Sequence, residues 1–370
     1  MIRHAIVAGG GIAGHAAALA LRRAGIAVTV LEKRSRGDDL GSFLRLNPNG
    51  LDALAALDVL APVMEQSFPV GHVEQWSSDG ELLSSRALTD PVAGRGFGAR
   101  FITWARLQDA LRGAAEGRGV TVRHATCVVD ASVNDRGVRV LLADGGHLDG
   151  DLLVGADGTW STVRTVIDPG APQPERLGSR TVYGYTPTPS MDVPPAPAQL
   201  RSYRGTSGFV AHLDDPGTGE CYWFTSLKAV GPLPDVVSTE QWRTYLQAWW
   251  GDNAKPPLGI IQQASRIRAS EDKAMPHLPR WHNDRCVVIG DAAHTAPPGT
   301  EQGAAMALED AAVLGQCVRD LTLPVALTRF EQIRRHRVEK IIGTAMGRQA
   351  TTDRPDWSYR HHVHWEQRIA

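Results

Sequence analysis

Cysteine is scarce in this 370-residue chain: Cys127, Cys221, Cys286 and Cys317 lie far apart, with no C-x-x-C pair and no histidine at metal-ligand spacing beside them. A disulfide framework is thereby excluded, no metal is expected, and free thiols in a reducing cytoplasm are the plain reading. Charge of one sign is lacking too, with 39 Lys and Arg against 40 Asp and Glu, so there is no basic footprint for nucleic acid. The densest basic run, Arg334-Arg335-His336-Arg337, reads as a solvated helix face. Long apolar runs are missing as well. The first such stretch, Ala5 to Ala8, ends in glycines without the features of a secretory signal, and nothing approaches membrane-spanning length, so no membrane partner is expected. Internal repeats, low-complexity segments and a Ser-His-Asp or paired-carboxylate constellation in a convincing setting are also absent.

What the chain does have is the pattern of an α/β protein, with ample material for one large or two merged domains. A strand over His4 to Ala8, a glycine turn, a helix from about Gly11 to Ala24 and a strand over Val28 to Glu32 make a parallel βαβ unit. Residues 45 to 65 read as helical after Pro48, and Leu107 to Ala115 as another helix. Thr121 to Leu142 alternates like paired strands turning at Asn134 to Gly137. Residues 152 to 156 form a buried strand followed by a helix from Thr159. Between about 170 and 280 the texture changes: proline-rich stretches around Pro187 to Pro197 and Pro232 to Pro234 separate strand-like runs such as Gly208 to Leu213 and Cys221 to Leu227. We expect a nucleotide-binding domain over 1–170, a mostly antiparallel substrate domain over 171–280, and a return to the first domain over 281–370. That last part holds a strand at Cys286 to Ile289, a loop from Gly290 to Gly303, a helix from Ala304 to Val318 and another over 325 to 348. The final residues, with Trp357, Tyr359, His361, His362, His364 and Trp365, read as a tail packed on the body or on a partner subunit.

The turn Gly9-Gly10-Gly11-Ile12-Ala13-Gly14 satisfies G-x-G-x-x-G in the required place, after a strand and at the opening of a helix. Gly9 permits the tight turn, Gly11 lets a pyrophosphate reach the backbone at the positive helix end, and Gly14 allows close helix-to-strand packing. Glu32, eighteen residues after Gly14, is placed to accept ribose hydroxyls and disfavours a 2′-phosphate, so the bound dinucleotide is FAD or NAD rather than NADP. Ile12, Ala13 and Lys33 complete the expected contacts.

Two further motifs follow in order: Gly155-Ala156-Asp157-Gly158 with Ser161 and Arg164, and Gly290-Asp291-Ala292-Ala293-His294. With the glycine turn and Glu32 they span nearly the whole chain, which resembles the class A flavoprotein monooxygenases, the aromatic-hydroxylase family with the para-hydroxybenzoate hydroxylase fold. The resemblance implies a Rossmann-like FAD-binding domain carrying an inserted antiparallel β-sheet substrate domain. It implies that NADH or NADPH reduces FAD and that one atom of O2 passes, through a flavin 4a-hydroperoxide, to a small aromatic, polycyclic or other electron-rich substrate, in a monomer or homodimer.

By the same resemblance, Asp157 lies near the pyrophosphate, although a helix-capping Asp-Gly turn is equally good local chemistry. Gly290 and Asp291 meet the ribityl chain, and Pro298, Gln302, Gly303 and Ala304 approach the isoalloxazine. Arg45 falls in the segment near the flavin edge. Two residues depart from the family pattern: Glu301 stands where glycine is usual, and Trp104 where many members have a phosphate-binding arginine, with Arg106 two residues on as the stand-in. Glu301 either adds a carboxylate near the flavin or points away toward substrate.

Substrate contacts are expected from Arg204, His212 and Tyr222 on the inserted strands; Tyr222 and Trp223 must face opposite sides. A single G-x-G-x-x-G separates the chain from class B oxygenases, and the missing Trp-x-Trp-x-Ile-Pro from flavin halogenases. A flavin oxidoreductase or dehydrogenase of the same fold without oxygen transfer, and a non-catalytic FAD- or NAD-binding redox sensor, stay open alternatives.

Overall fold

The structure, a computed structural model, describes residues 2–37, 42–87, 98–187, 199–206, 208–228, 238–251, 255–347 and 356–370. The expected proline-rich stretches at 188–197 and 232–234 lie outside the described residues.

A five-stranded parallel sheet forms the base, in the order Cys286–Val288, Leu152–Gly155, His4–Ala8, Ala27–Leu31, Thr121–Arg123. Its inner strands are nearly continuous apolar runs because both faces are covered, one by the helix Ile12–Arg23 and the other by the three-stranded antiparallel sheet Val128–Asn134, Gly137–Leu142, His147–Gly150: Ile6, Val154 and Val287 have no exposed surface. The helix Ile12–Arg23 packs against the long helix Gly303–Asp320. Small residues let them approach, since a Cβ on Gly315 would come within 2.7 Å of the Ala20 Cβ.

A seven-stranded sheet stands above, in the order Arg266–Ala274, Glu175–Thr186, Cys221–Lys228, Phe209–Asp214, Gln199–Arg204, His72–Ser77, Leu82–Ala87. One face is covered by the helices Thr239–Trp250 and Lys255–Gln262, over a core that includes Tyr203, Trp223, Trp242 and Ile260. The other face carries Tyr185, Leu213 and Tyr222, which pack with Phe68 and Phe101 from the first part of the chain. A small sheet of Phe43–Leu46, Arg100–Thr103 and Phe68–Pro69 supplies those aromatic partners.

Several elements differ from the sequence expectation. The hairpin His72–Ala87 joins the upper sheet, pairing in parallel with Gln199–Arg204. Thr121–Arg123 belongs to the parallel sheet; only Val128–Asn134 and Gly137–Leu142 form the expected hairpin, and Asn134 Oδ1 accepts the turn N–H groups of Arg136 and Gly137. Residues 45 to 65 hold the end of a strand and two helices, Pro48–Ala56 and Leu60–Gln66. The loop expected after Gly290 contains a short helix, Asp291–His294, and a 3-10 turn, Pro298–Thr300. The last helix, Leu323–Met346, buries part of the basic run: Arg334 is fully buried, which corrects the reading of a solvated face. The tail packs on the body, with Trp365 between the guanidinium groups of Arg23 and Arg319 and with His362 paired to Asp52.

Candidate active site

The glycine turn is fixed by sterics. Gly9 has φ of +102°, and a Cβ there would come within 2.3 Å of the Ala156 carbonyl oxygen; on Gly14 it would fall 1.8 Å from the Gly9 carbonyl oxygen. At Gly11 the nearest neighbour of such a Cβ would be the Trp104 ring at 3.8 Å, so backbone is open to a ligand there. The helix Ile12–Arg23 starts at this point without a side-chain cap, leaving first-turn N–H groups and the positive helix end facing the groove. That cradle suits a pyrophosphate. Glu32 stands at its rim, accepting from Gly10 N at 2.7 Å and Arg34 N at 2.8 Å, with Lys33 exposed beyond it.

Asp157 adjoins the same turn through its backbone, but its carboxylate caps the helix Thr162–Ile167. It accepts from Ser161 Oγ at 2.5 Å and from the N–H groups of Thr162 and Val163. Burial raises this carboxyl above its ordinary range, and those donors oppose the rise. The structure thus favours the capping role for the side chain.

Asp291 is different. It opens the short helix after Gly290, whose φ is +57°, and its carboxylate has no hydrogen-bond partner among the described residues. Protein surrounds it, yet its groove side is exposed; this desolvation raises the carboxyl above its usual value, with His294 opposing. A free acceptor in that position suits a polyhydroxylated chain. Beyond it, Pro298 opens the 3-10 turn, and Gln302 and Gly303 begin the long helix, again with no side-chain cap. Ala304 lies in its first turn, where the helix end favours an anionic or electron-rich ring.

A buried polar network holds these pieces together, and it was not anticipated. Asp310 accepts from Gly290 N at 2.9 Å, pairs with His294 Nε2 at 2.5 Å and accepts from Arg334 Nε at 2.8 Å. Its neighbour Glu309 takes Arg334 and Arg337 and the Asn49 amide, which also donates to Gln302 Oε1 at 2.8 Å. Burial would raise both carboxyls, but for Glu309 the guanidinium groups of Arg334 and Arg337 hold it down to about 2. For Asp310, His294 and Arg334 hold it far below its ordinary value. Two adjacent carboxylates inside the apolar run Ala304 to Val318 were the available signal, since buried charges come paired.

Next to this loop the small sheet packs on the aromatic face of the upper sheet. Phe43 and Arg45 share one face of their strand, and the Phe43 ring lies 5.7 Å from both Tyr222 and Phe224. Arg45 Nη1 meets Glu301 Oε2 at 3.3 Å, and Asn47 Nδ2 donates to the Glu301 carbonyl. Tyr222 faces the small sheet, almost fully buried beside Phe43 and Tyr185, and Trp223 faces the opposite core, as alternation required. Arg204, exposed and paired across strands with Phe209, shares the Tyr222 face.

His212 does not. It is buried opposite Trp223, stacked on Tyr203 and hydrogen-bonded to Cys221 at 3.5 Å, on the face turned away from Tyr222. Arg106 also lands elsewhere than expected: its guanidinium donates to Asp215 at 2.7 Å, where Tyr222 OH also donates, so it ties the helix Trp104–Gly117 to the upper sheet. Trp104, not Arg106, stands over the glycine turn.

Residues 3–345 match the family model described as FAD binding domain. This chain belongs to that family of FAD-dependent monooxygenases. The monooxygenase is 30% identical over 347 residues to aurachin C monooxygenase/isomerase of Stigmatella aurantiaca, covering 91% of this chain and 86% of that protein. With 3-hydroxybenzoate 6-hydroxylase of Klebsiella oxytoca it shares 28% over 366 residues, 94% of this chain and 88% of the relative. Its fold matches Klebsiella pneumoniae HpxO, solved with FAD and uric acid, with a TM-score of 0.80 and 26% identity over 93% of this chain and 87% of that one. FAD is therefore the cofactor of this chain, and the fold is that of the para-hydroxybenzoate hydroxylase-like flavoproteins. No helix among the described residues is long and apolar enough to cross a membrane.

Proposed function

We propose that this monooxygenase hydroxylates or epoxidises a small aromatic or other electron-rich compound held between the flavin-side loop and the aromatic face of the upper sheet, with NADH or NADPH as electron donor. One observation carries the reading: Gly290, before the unpartnered carboxylate of Asp291, lies against Ala13 behind the glycine cradle and Ala307 near the uncapped start of Gly303–Asp320, and beside that start Arg45 meets Glu301 on the strand whose Phe43 ring packs on Tyr222 and Phe224. Bound FAD supplies the activation of oxygen. The chain's own groups position it: the amides after Gly11 take the pyrophosphate, Glu32 the adenosine ribose, Asp291 the ribityl hydroxyls, and the long helix end the ring. The aromatic face orients a flat substrate and keeps water from it. Arg204 is the polar substrate contact left on that face once His212 is set aside. Three of the four thiols are buried, which suits the reducing cytoplasm as its location; light scattering decides between the expected monomer and homodimer.

The test is anaerobic reduction of the purified yellow protein by NADH and by NADPH, followed by oxygen in the presence of 3-hydroxybenzoate or uric acid. An oxygenated product supports the proposal. Stoichiometric hydrogen peroxide with every compound points to an oxidoreductase without oxygen transfer, and no reduction by either nucleotide to a redox sensor.

A further inference from the structure

Glu301 occupies the left-handed region, at φ +50° and ψ +23°, which glycine enters freely and other residues enter under strain. Of the described non-glycine residues with positive φ, Asp58, Ala125 and Glu301, it is Glu301 that comes immediately before Gln302 and Gly303, at the start of the long helix. Its carboxylate meets Arg45, and the two side chains are only 27% and 14% exposed. Arg45 in turn lies on the same strand face as Phe43, whose ring packs on Tyr222 of the upper sheet. The Asn47 amide holds the Glu301 carbonyl, and the Tyr359 ring lies 6.0 Å from the Arg45 guanidinium, so the pair is braced on both sides.

Two sources of positive potential therefore converge on the flavin end of the groove: the start of the helix Gly303–Asp320 and the Arg45 guanidinium. Both favour the reduced ring, which gains negative charge. A carboxylate bound to the guanidinium cancels the second source and leaves the first. We propose that Glu301 tunes the flavin: by neutralising Arg45 it lowers the reduction potential of bound FAD, and the strained backbone is retained for that purpose. The inference rests on the proposed placement of the isoalloxazine beside this loop.

The reading is the two-electron midpoint potential of the FAD-reconstituted protein, measured by anaerobic dye equilibration, for wild type, Glu301→Gln, Glu301→Gly, Arg45→Gln and the Arg45→Gln/Glu301→Gln double variant. Glu301→Gln and Glu301→Gly are expected to raise the potential alike, by a tenfold change in the preference for reduced over oxidised FAD, about 30 mV for a two-electron couple. Arg45→Gln is expected to lower it, and the double variant to return near wild type. Glu301→Gly should also raise the melting temperature, because glycine relieves the positive φ, whereas Glu301→Gln should not.

A potential unchanged in Glu301→Gln overturns the proposal. A shift confined to Glu301→Gly does so too, since it would trace to loop conformation and not to charge. Failure of the wild-type protein to bind FAD at all overturns the cofactor reading itself, and is told apart from the other outcomes by the missing flavin spectrum.

Discussion

Replacing Asp291 by alanine should loosen FAD without loosening the fold. The carboxylate has no hydrogen-bond partner among the described residues, so its removal strands no protein donor, and the Asp291–His294 turn keeps its backbone bonds to Gly290. What is lost is a charged acceptor for the ribityl hydroxyls, worth about 1.5 to 3 kcal/mol. At about 1.4 kcal/mol per decade, the dissociation constant for FAD should rise by about 10- to 150-fold. Asp291→Asn keeps a neutral acceptor and should lie between. Titration of apoprotein with FAD, followed by quenching of flavin fluorescence, gives the constants, and thermal melting of the apoproteins checks that stability is unchanged. A pH dependence should accompany this: because partial burial raises the Asp291 carboxyl, FAD should begin to weaken at a higher pH than an ordinary aspartate would allow as the solution is acidified. Wild-type affinity in Asp291→Ala, with a normal melting temperature, would refute the assignment.

Four other outcomes follow from the same geometry. Arg334→Met leaves Glu309 and Asp310 without their buried partner and should cost about 3 to 5 kcal/mol in urea unfolding; a cost below about 1 kcal/mol would mean the network is not holding the loops. Because the folded Glu309 carboxyl is depressed from 4.5 to about 2, its contribution is complete above the ordinary value and should disappear as pH falls through that window, visible as acid-sensitive melting. Arg106→Met should leave FAD affinity unchanged while lowering stability by about 1 kcal/mol through loss of the Asp215 contact; a tenfold loss of FAD affinity would restore it as a phosphate contact. Gly14→Ala puts a methyl 1.8 Å from the Gly9 carbonyl oxygen in the undistorted turn and should give protein that no longer retains FAD; normal retention would show that the turn can shift.

The parts of the fold readable from the sequence are those where local sterics or burial leave one choice. Gly9 and Gly14 are forced by backbone contacts, and strands covered on both faces, such as Leu152–Gly155 and Cys286–Val288, stand out as short apolar runs. Edge strands escape this logic: Leu82–Ala87 is exposed along its whole length, so its residues carry no burial pattern to read. Side-chain destinations were harder still. Arg106 follows Trp104 by two residues, about 200° around the helix, so when Trp104 covers the glycine turn Arg106 must look elsewhere. Alternation told that Tyr222 and Trp223 oppose each other, but the face turned toward the small sheet is decided by long-range packing of Phe43. His212, paired across strands with Trp223, follows it to the far side. Arg334 reads as solvated in the sequence because its carboxylate partners lie on another helix, 24 and 25 residues earlier in the chain.

Cofactor extraction from freshly purified protein tests the central claim most directly. Heat or acid release, followed by chromatography and absorbance, should yield FAD approaching one molecule per chain, with re-addition of FAD to the apoprotein restoring the yellow complex. Recovery of a nicotinamide nucleotide in place of flavin, or a colourless protein that stays colourless with added FAD, would contradict the account.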